Sequence, residues 1–338
     1  MPTVLEALNR GLHEAFAEDP RVYLIGEDLL DPYGGAFKAS KGLSGKYPDR
    51  VWTSPVSEAA ITGAGTGMAL RGLKPVVEIM FGDFSALIAD QVINSLSKFR
   101  TMYNDQVNVP MVIRTPMGGR RGYGPTHSQT LEKMYLGIPG LRVLAANAVS
   151  DPGELLKEAI LRDPEPVLFI ENKLLYLKPV ADHLADFELE ASLPTGSYAP
   201  THLLRIKAAP SPVATFAAYG YMAELAREAI LRLAFEEELF CELVVLSQLS
   251  PLEPNGAFDP LLARSVQRTQ RLLTIEEGTY TLGWGAEIAA RAAKAFPGAL
   301  KAMERVAAKD MAIPASVPLE EAVLPSIDDI MAAVQRML

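Results

Sequence analysis

Two short segments hold the residue types most able to do chemistry. The first is SEAAITGAGTGMALRG, where Glu58 follows Ser57 at what reads as a helix start. A carboxylate in the first turn interacts favourably with the helix dipole, and Ser57 is a candidate cap. By itself that makes Glu58 a structural charge. Gly63, Gly65 and Gly67 add something less ordinary, because each costs a helix about 1 kcal/mol relative to alanine. Glycine is worth that cost where another backbone or a ligand approaches closely, so this helix is expected in a tight interface. The second segment is MGGRRGYGPTHSQ, in which four glycines, two arginines and Pro125 precede His127. Such a stretch is a loop, and a loop histidine is either an acid–base group or an unengaged surface residue. Its glycines and arginines point to an anion site, although no GxxxxGK[ST] motif is present.

Other candidates are weaker. Phe81 and Phe84, in EIMFGDFSALIADQ, follow a strand and read as core before they read as a cofactor platform. Asp83 and Asp90 read as helix-start and surface charges. His13 and His202 read as solvent or packing residues, and His183 falls in a linker and is assigned nothing. Cys241, inside an apolar strand, reads as a small buried hydrophobe. No HExxH, GxSxG or GxGxxG occurs in a usable context.

These residues need a scaffold. Leu5, Leu8, Leu12 and Phe16 share one face of an N-terminal amphipathic helix, which argues against a signal peptide. Strand-like segments at Arg21–Gly26, Pro75–Met80, Val109–Arg114, Leu141–Ala145 and Pro166–Glu171 alternate with helical ones at Ser57–Arg71, Phe84–Tyr103 and Pro152–Arg162. From Tyr176 to Pro212 five prolines break the pattern, as an inter-domain linker would. The alternation resumes with strands at Val213–Tyr219, Cys241–Leu246 and Leu272–Glu276 and helices at Tyr221–Ala234, Gly285–Ala295 and Ser326–Leu338. The expected fold is α/β, with two doubly wound domains and mainly parallel sheets. The expected boundaries are 1–190 for the first domain, 191–212 for the linker and 213–338 for the second domain.

Composition agrees. A chain of 338 residues, 49% apolar and 22% charged, is neither disordered nor fibrous, and two domains is the natural expectation. One cysteine excludes a disulfide framework or a multi-cysteine metal site and points to a reducing, cytoplasmic setting. A net charge of −9 without a dense Lys/Arg run argues against nucleic acid. Val76–Ala89 is apolar but short and carries Glu78 and Asp83, so no membrane span is expected.

Taken in order, the segments resemble a known family. RVYLIGED is followed by GGAFKASKGLSGKYPDRV and by SPVSEAAITGAGTGMALRGLKPVVEIMFGDFSALIADQVIN. Then come VPMVIRTPMGG, GPTHSQ, IPGLRVLAA, RDPEPVLFIENKLLY, LSQLSPLEP, EEGTYTLGWGAEIAA and LEEAVLPSIDDI. The chain closely resembles, nearly end to end, the beta subunit of the thiamine-diphosphate-dependent decarboxylating component of 2-oxo acid dehydrogenase complexes, of pyruvate or branched-chain type. The resemblance implies a transketolase-like pyrimidine-binding domain followed by a transketolase C-terminal domain. In that family the cofactor lies between two chains. The beta chain holds the aminopyrimidine, and the alpha chain holds the diphosphate and Mg2+ through a GDG…N motif. This sequence offers only Gly82-Asp83-Phe84, so an alpha partner is expected, within an α2β2 assembly docked on a lipoyl acyltransferase core.

Residue roles follow from the same resemblance. Glu58 matches the glutamate that hydrogen-bonds the pyrimidine ring nitrogen and favours the cofactor's imino tautomer. Phe84 matches the aromatic stacked on that ring, and Val56 and Met80 match positions lining it. His127 matches the HSQ histidine that assists acyl transfer to lipoamide. Asp163, in RDPEP, falls where some members bind a structural monovalent cation such as K+, partly through backbone carbonyls; Glu165 stands where an asparagine is common. Two further departures are Asn104-Asp105 in place of a frequent Gly-Gly, and Ser247 in place of an acidic residue. GPTHSQ also has a transketolase flavour. The alternatives are therefore a catalytic half of a split transketolase-like or acetoin-cleaving enzyme and, from another class, a non-catalytic interaction subunit.

Overall fold

The computed structural model describes residues 1–181, 184–252 and 258–338; His183 and part of the LSQLSPLEP run lie outside the described residues. Its strands, in chain order, are β1 (Val22–Gly26), β2 (Val51–Thr53), β3 (Lys74–Glu78), β4 (Val112–Met117), β5 (Arg142–Ala145), β6 (Val167–Asn172), β7 (Phe187–Ser192), β8 (Thr201–Ile206), β9 (Ala214–Ala218), β10 (Cys241–Leu246), β11 (Gln248–Ser250), β12 (Arg271–Thr279) and β13 (Ala302–Ala308). One sheet has the order β11-β5-β6-β4-β3-β1-β2 and the other β13-β12-β9-β10-β8-β7. Pairing is parallel except where β11 meets β5 and where β8 meets β7 and β10. Apolar strands such as VLFIEN, buried on both faces, are what helices packed on both sides of a parallel sheet require.

Two expectations are corrected. The second sheet begins with β7 at Phe187, inside the expected first domain, and all of β8, with Leu203 and Leu204 buried, lies in the expected linker 191–212. The segment Phe84–Tyr103 is not one long helix. It is a 3-10 helix at Gly82–Ile88, a π-helical turn at Gln91–Leu96 and one α turn at Phe99–Met102. Within this segment the Ser85 carbonyl accepts the hydroxyl of Tyr135, a partner 50 residues away. Strands β2, β11 and β13 and the Pro260–Thr269 helix were not expected from the sequence; β2 and β11, at 3 residues each, are too short to signal a period.

The two halves share one core. Ile113, Val143 and Leu168 of the first sheet belong to the same apolar cluster as Leu203 and Val244 of the second and Trp284 of the helix Trp284–Ala295. Within the first sheet a buried ionic network joins three strands. Arg114 on β4 donates from Nε to Glu171 Oε1 at 2.8 Å and from an Nη to Glu171 Oε2 at 2.6 Å, and also bonds Glu78. Tyr176 donates its hydroxyl to Glu171 Oε2 at 2.6 Å. Glu78 lies at the end of β3 and Glu171 near the end of β6, so the network ties these strands where they point at the candidate site.

Helix Val4–Glu18, opened by a capping box between Thr3 and Glu6, crosses helix Pro152–Arg162 through glycine. A Cβ on Gly11 would lie 2.3 Å from the Gly153 carbonyl oxygen, and one on Gly153 would lie 2.0 Å from that of Ala7. Gly153→Ala is expected to lower stability by about 1–3 kcal/mol, because backbone on the facing helix must move. Gly67→Ala meets nothing within 4 Å and is expected to raise the stability of the isolated chain by about 0.5–1 kcal/mol. Denaturant midpoints of the two variants, shifted in opposite directions, check this.

Candidate active site

The candidate residues gather just beyond the carboxyl ends of β1, β2, β3, β4 and β6, where ligands of open α/β sheets bind. Glu58 is the first residue of helix Glu58–Leu70. Ser57 occupies the cap position, but its side chain makes no capping bond, so that expectation fails. Residue Glu58 is buried, yet no described residue gives its carboxylate a hydrogen bond or ion pair. Glu27, just past β1, is its neighbour. Burial pushes the Glu27 carboxyl up, and the Glu58 charge pushes it further. The Glu27 Oε1 atom is also buried without a partner. Beside them Val56 is 79% exposed.

The segment after β3 supplies an aromatic wall. Phe84 lies on the 3-10 turn against which helix Glu58–Leu70 packs, and Met80 and Phe81 precede it; all three are half-buried. The His127 ring stands edge-on to Phe81 at 4.8 Å and to Phe84 at 5.3 Å, with interplanar angles of 79° and 80°. Phe84 and His127, both singled out from the sequence, thus lie in one ring cluster, in which Phe81 does as much as Phe84 to seat the imidazole. The Thr126 hydroxyl lies 3.1 Å from His127 Nδ1.

Buried groups that the sequence did not single out hold this loop. Asp83, in the first turn of the 3-10 helix, is also a tie: its Oδ1 accepts the Gln129 N–H at 3.1 Å and the Gln129 side-chain amide at 2.9 Å. Lys173, just past β6 and fully buried, donates to the His127 carbonyl oxygen at 2.6 Å and lies 5.3 Å from the Phe81 ring centroid. Burial lowers its ammonium to about 8. The only sequence signal for Lys173 was its place after a strand that reads PVLFIEN.

The anion expected at the glycine-rich loop is the protein's own. Gly119 N–H donates to Glu277 Oε1 at 2.6 Å, and the N–H groups of Arg120 and Gly122 donate to the two Glu320 oxygens at 2.8 and 2.9 Å. Asp163 lies elsewhere, after helix Pro152–Arg162. Its carboxylate accepts Arg142 Nε at 2.6 Å, the Tyr198 hydroxyl at 2.9 Å and the Glu165 N–H at 3.0 Å. A guanidinium thus neutralises the carboxylate suggested for a cation. Among the described residues no group of three or more His, Cys, Asp or Glu side chains could hold a metal. None of the described helices is long and apolar enough to cross a membrane. The larger hollows lie away from Glu58 and His127, one of about 520 Å³ being lined by Leu136, Ile138, Leu249, Leu252 and Trp284.

Comparison with known proteins decides the family. Residues 1–178 match the family "Transketolase, pyrimidine binding domain" and residues 205–330 match "Transketolase, C-terminal domain". The pyruvate dehydrogenase E1 component subunit beta-1 of Arabidopsis thaliana is 39% identical over 338 residues, covering 99% of this chain and 88% of that one. This chain belongs to the family of 2-oxo acid dehydrogenase beta subunits. The pyruvate dehydrogenase E1 subunit beta of Rickettsia conorii is 33% identical, covering 99% of this chain and 98% of that one. The acetoin:2,6-dichlorophenolindophenol oxidoreductase subunit beta of Cupriavidus necator is 34% identical, covering 98% and 96%. A solved structure titled "Split gene transketolase, inactive beta4 tetramer" shares the fold, with a TM-score of 0.74 at 20% identity and coverage of 100% and 98%.

One group in this beta subunit carries a pH signature. Glu132 is fully buried between the two sheets, accepts the Tyr219 hydroxyl at 2.6 Å, and has its second oxygen unpartnered. Burial, aided by the charges of Glu276 and Glu277, raises its carboxyl from 4.5 to about 8. The folded chain therefore keeps a proton that the unfolded chain releases, and Glu132 makes stability fall as pH rises from 4.5 toward 8. Glu132→Gln removes that slope. Melting temperatures of variant and wild type, measured from pH about 5 to 9, are expected to diverge in favour of the variant as pH rises.

Proposed function

We propose that this beta subunit is the pyrimidine-holding half of a thiamine-diphosphate-dependent 2-oxo acid dehydrogenase acting on pyruvate or a branched-chain 2-oxo acid. The observation that carries the reading is the Glu58 carboxylate, unpartnered at a helix start beside the Phe81–Phe84–His127 cluster. No described residue bonds the Glu58 carboxylate, which leaves it available to a ligand's donor, and the protonated ring nitrogen of an aminopyrimidine fits that role. When bound, thiamine diphosphate supplies the carbon nucleophile and the electron sink for decarboxylation.

The chain's own residues do the rest. Glu58 holds the proton at the pyrimidine nitrogen, and Glu27 beside it resists a second negative charge in the same place. Phe84, Val56 and Met80 wall the ring and exclude water. His127, seated against two phenyl rings, exchanges a proton with the acyl acceptor as the acyl group passes to lipoamide. Mg2+ and the diphosphate fall to an alpha subunit, since no GDG…N motif occurs here. An α2β2 assembly and an acyltransferase core complete the proposed complex. The acidic surplus of −9 would speed encounter with a basic docking domain. Any K+ near Asp163 would rest on backbone carbonyls, as the carboxylate is committed to Arg142. The single, buried Cys241 suits a reducing compartment such as the cytoplasm.

The Cupriavidus relative favours acetoin cleavage as a second reading. Both are tested by mixing the chain with its alpha partner and measuring dye-linked oxidation of pyruvate, branched-chain 2-oxo acids and acetoin. The 2-oxo acids are expected to be preferred. Glu58→Gln is expected to lose about 10²–10⁴-fold in rate with an unchanged melting temperature. Full activity in that variant overturns the role given to Glu58.

A further inference from the structure

The loop that carries His127 is anchored from outside its own sheet. Glu277 lies in β12 and Glu320 in the short helix Val317–Glu321, 158 and 200 residues from the loop positions they bind. Both residues are buried, at 4% and 1% exposure. Gly118, Arg120 and Gly122 have φ of +97°, +66° and +67°, which turns the intervening N–H groups toward one side. Such a nest is an anion cradle. Here it closes on two carboxylates that the proposed chemistry does not use.

The fit leaves no slack. A Cβ on Gly119 would lie 2.6 Å from Leu324 Cδ1 and 3.1 Å from Glu320 Oε1. The Arg120 guanidinium bonds the Pro325 carbonyl, so the same loop is tied to the segment after Glu320. Glu277 also accepts the Asn172 side-chain amide at 3.1 Å through Oε2. Asn172 precedes Lys173, which bonds the His127 carbonyl. The loop is therefore gripped at its start by Glu277 and Glu320 and at its end by Lys173.

We propose that Glu277 and Glu320 are positioning residues: the C-terminal domain uses them to hold His127 against Phe81 and Phe84, and so governs acyl transfer rather than decarboxylation. The part concerning acyl transfer rests on the functional reading above; the part concerning His127 does not.

The test is built on that difference. In the full chain, with its 4 histidines, the His127 ring protons should carry ring-current shifts from the two phenyl rings. Glu320→Ala is expected to move them toward unperturbed positions. Glu320→Gln keeps one acceptor oxygen and should move them less. In the complex with the alpha partner, Glu320→Ala is expected to slow transfer to lipoamide about tenfold or more, the effect of losing two charge-assisted hydrogen bonds. Dye-linked decarboxylation should stay within about threefold of wild type, and added formate should restore part of the transfer rate. Unchanged His127 shifts in both variants overturn the positioning role. A proportional fall of both rates overturns the selective control of acyl transfer. A wild-type complex that decarboxylates no 2-oxo acid overturns the functional reading, while the ring-current result still decides the positioning role.

Discussion

Arg114, lying between Glu78 and Glu171, is the interaction on which the rest of the site depends. A guanidinium removed from water is tolerable only when its donors are matched; these two carboxylates accept from it, and the Tyr176 hydroxyl donates to Glu171 Oε2. Burial pushes the Glu78 carboxyl up, while Arg114 opposes it. Three segments leave the sheet from beside this network: Met80–Phe84 after β3, the glycine-rich loop after β4, and Lys173 after β6. The aromatic wall, the histidine loop and the lysine that bonds its carbonyl therefore inherit their relative positions from one buried ionic cluster.

The second sheet completes what the first begins. Tyr219 and Glu277 bring it against Glu132 and the loop, and one apolar cluster runs through both halves. Much of the acidic surplus is thus not on the surface. All five of Glu132, Glu242, Glu276, Glu277 and Glu320 are buried: Arg268 pairs Glu242, Arg305 pairs Glu276, and backbone N–H groups bond Glu277 and Glu320, while burial raises Glu132 and Glu276, each of which keeps one oxygen without a donor. A net charge read from composition overstates the field a partner would meet.

What the sequence revealed follows the range of each interaction. Strong local patterns, such as VLFIEN or the amphipathic first helix, were legible because period and capping act within a few residues. Asn104 and Asp105, at φ of 51° and 59°, occupy left-handed conformations, which explains why glycine is frequent at their positions. Glu58, Phe84 and His127 were legible through their motifs. Lys173, Glu277 and Glu320 were not, because their roles come from contacts 46 to 200 residues away. The loop's anion preference was read correctly in kind, but its ligand was already in the chain. Asp163 misled in the same way, since Arg142 is 21 residues distant and leaves no local mark.

The site remains open where Val56 is exposed and the Glu58 carboxylate lacks a donor. No described residue set supplies a magnesium site. On the proposed reading this chain supplies one half of an active site and a second chain supplies the other. The most direct measurement is a calorimetric titration of thiamine diphosphate with Mg2+ into the chain alone and into the chain mixed with its alpha partner. Saturable binding in the mixture and none with the chain alone is the predicted result. Saturable, magnesium-dependent binding by the chain alone would contradict the account.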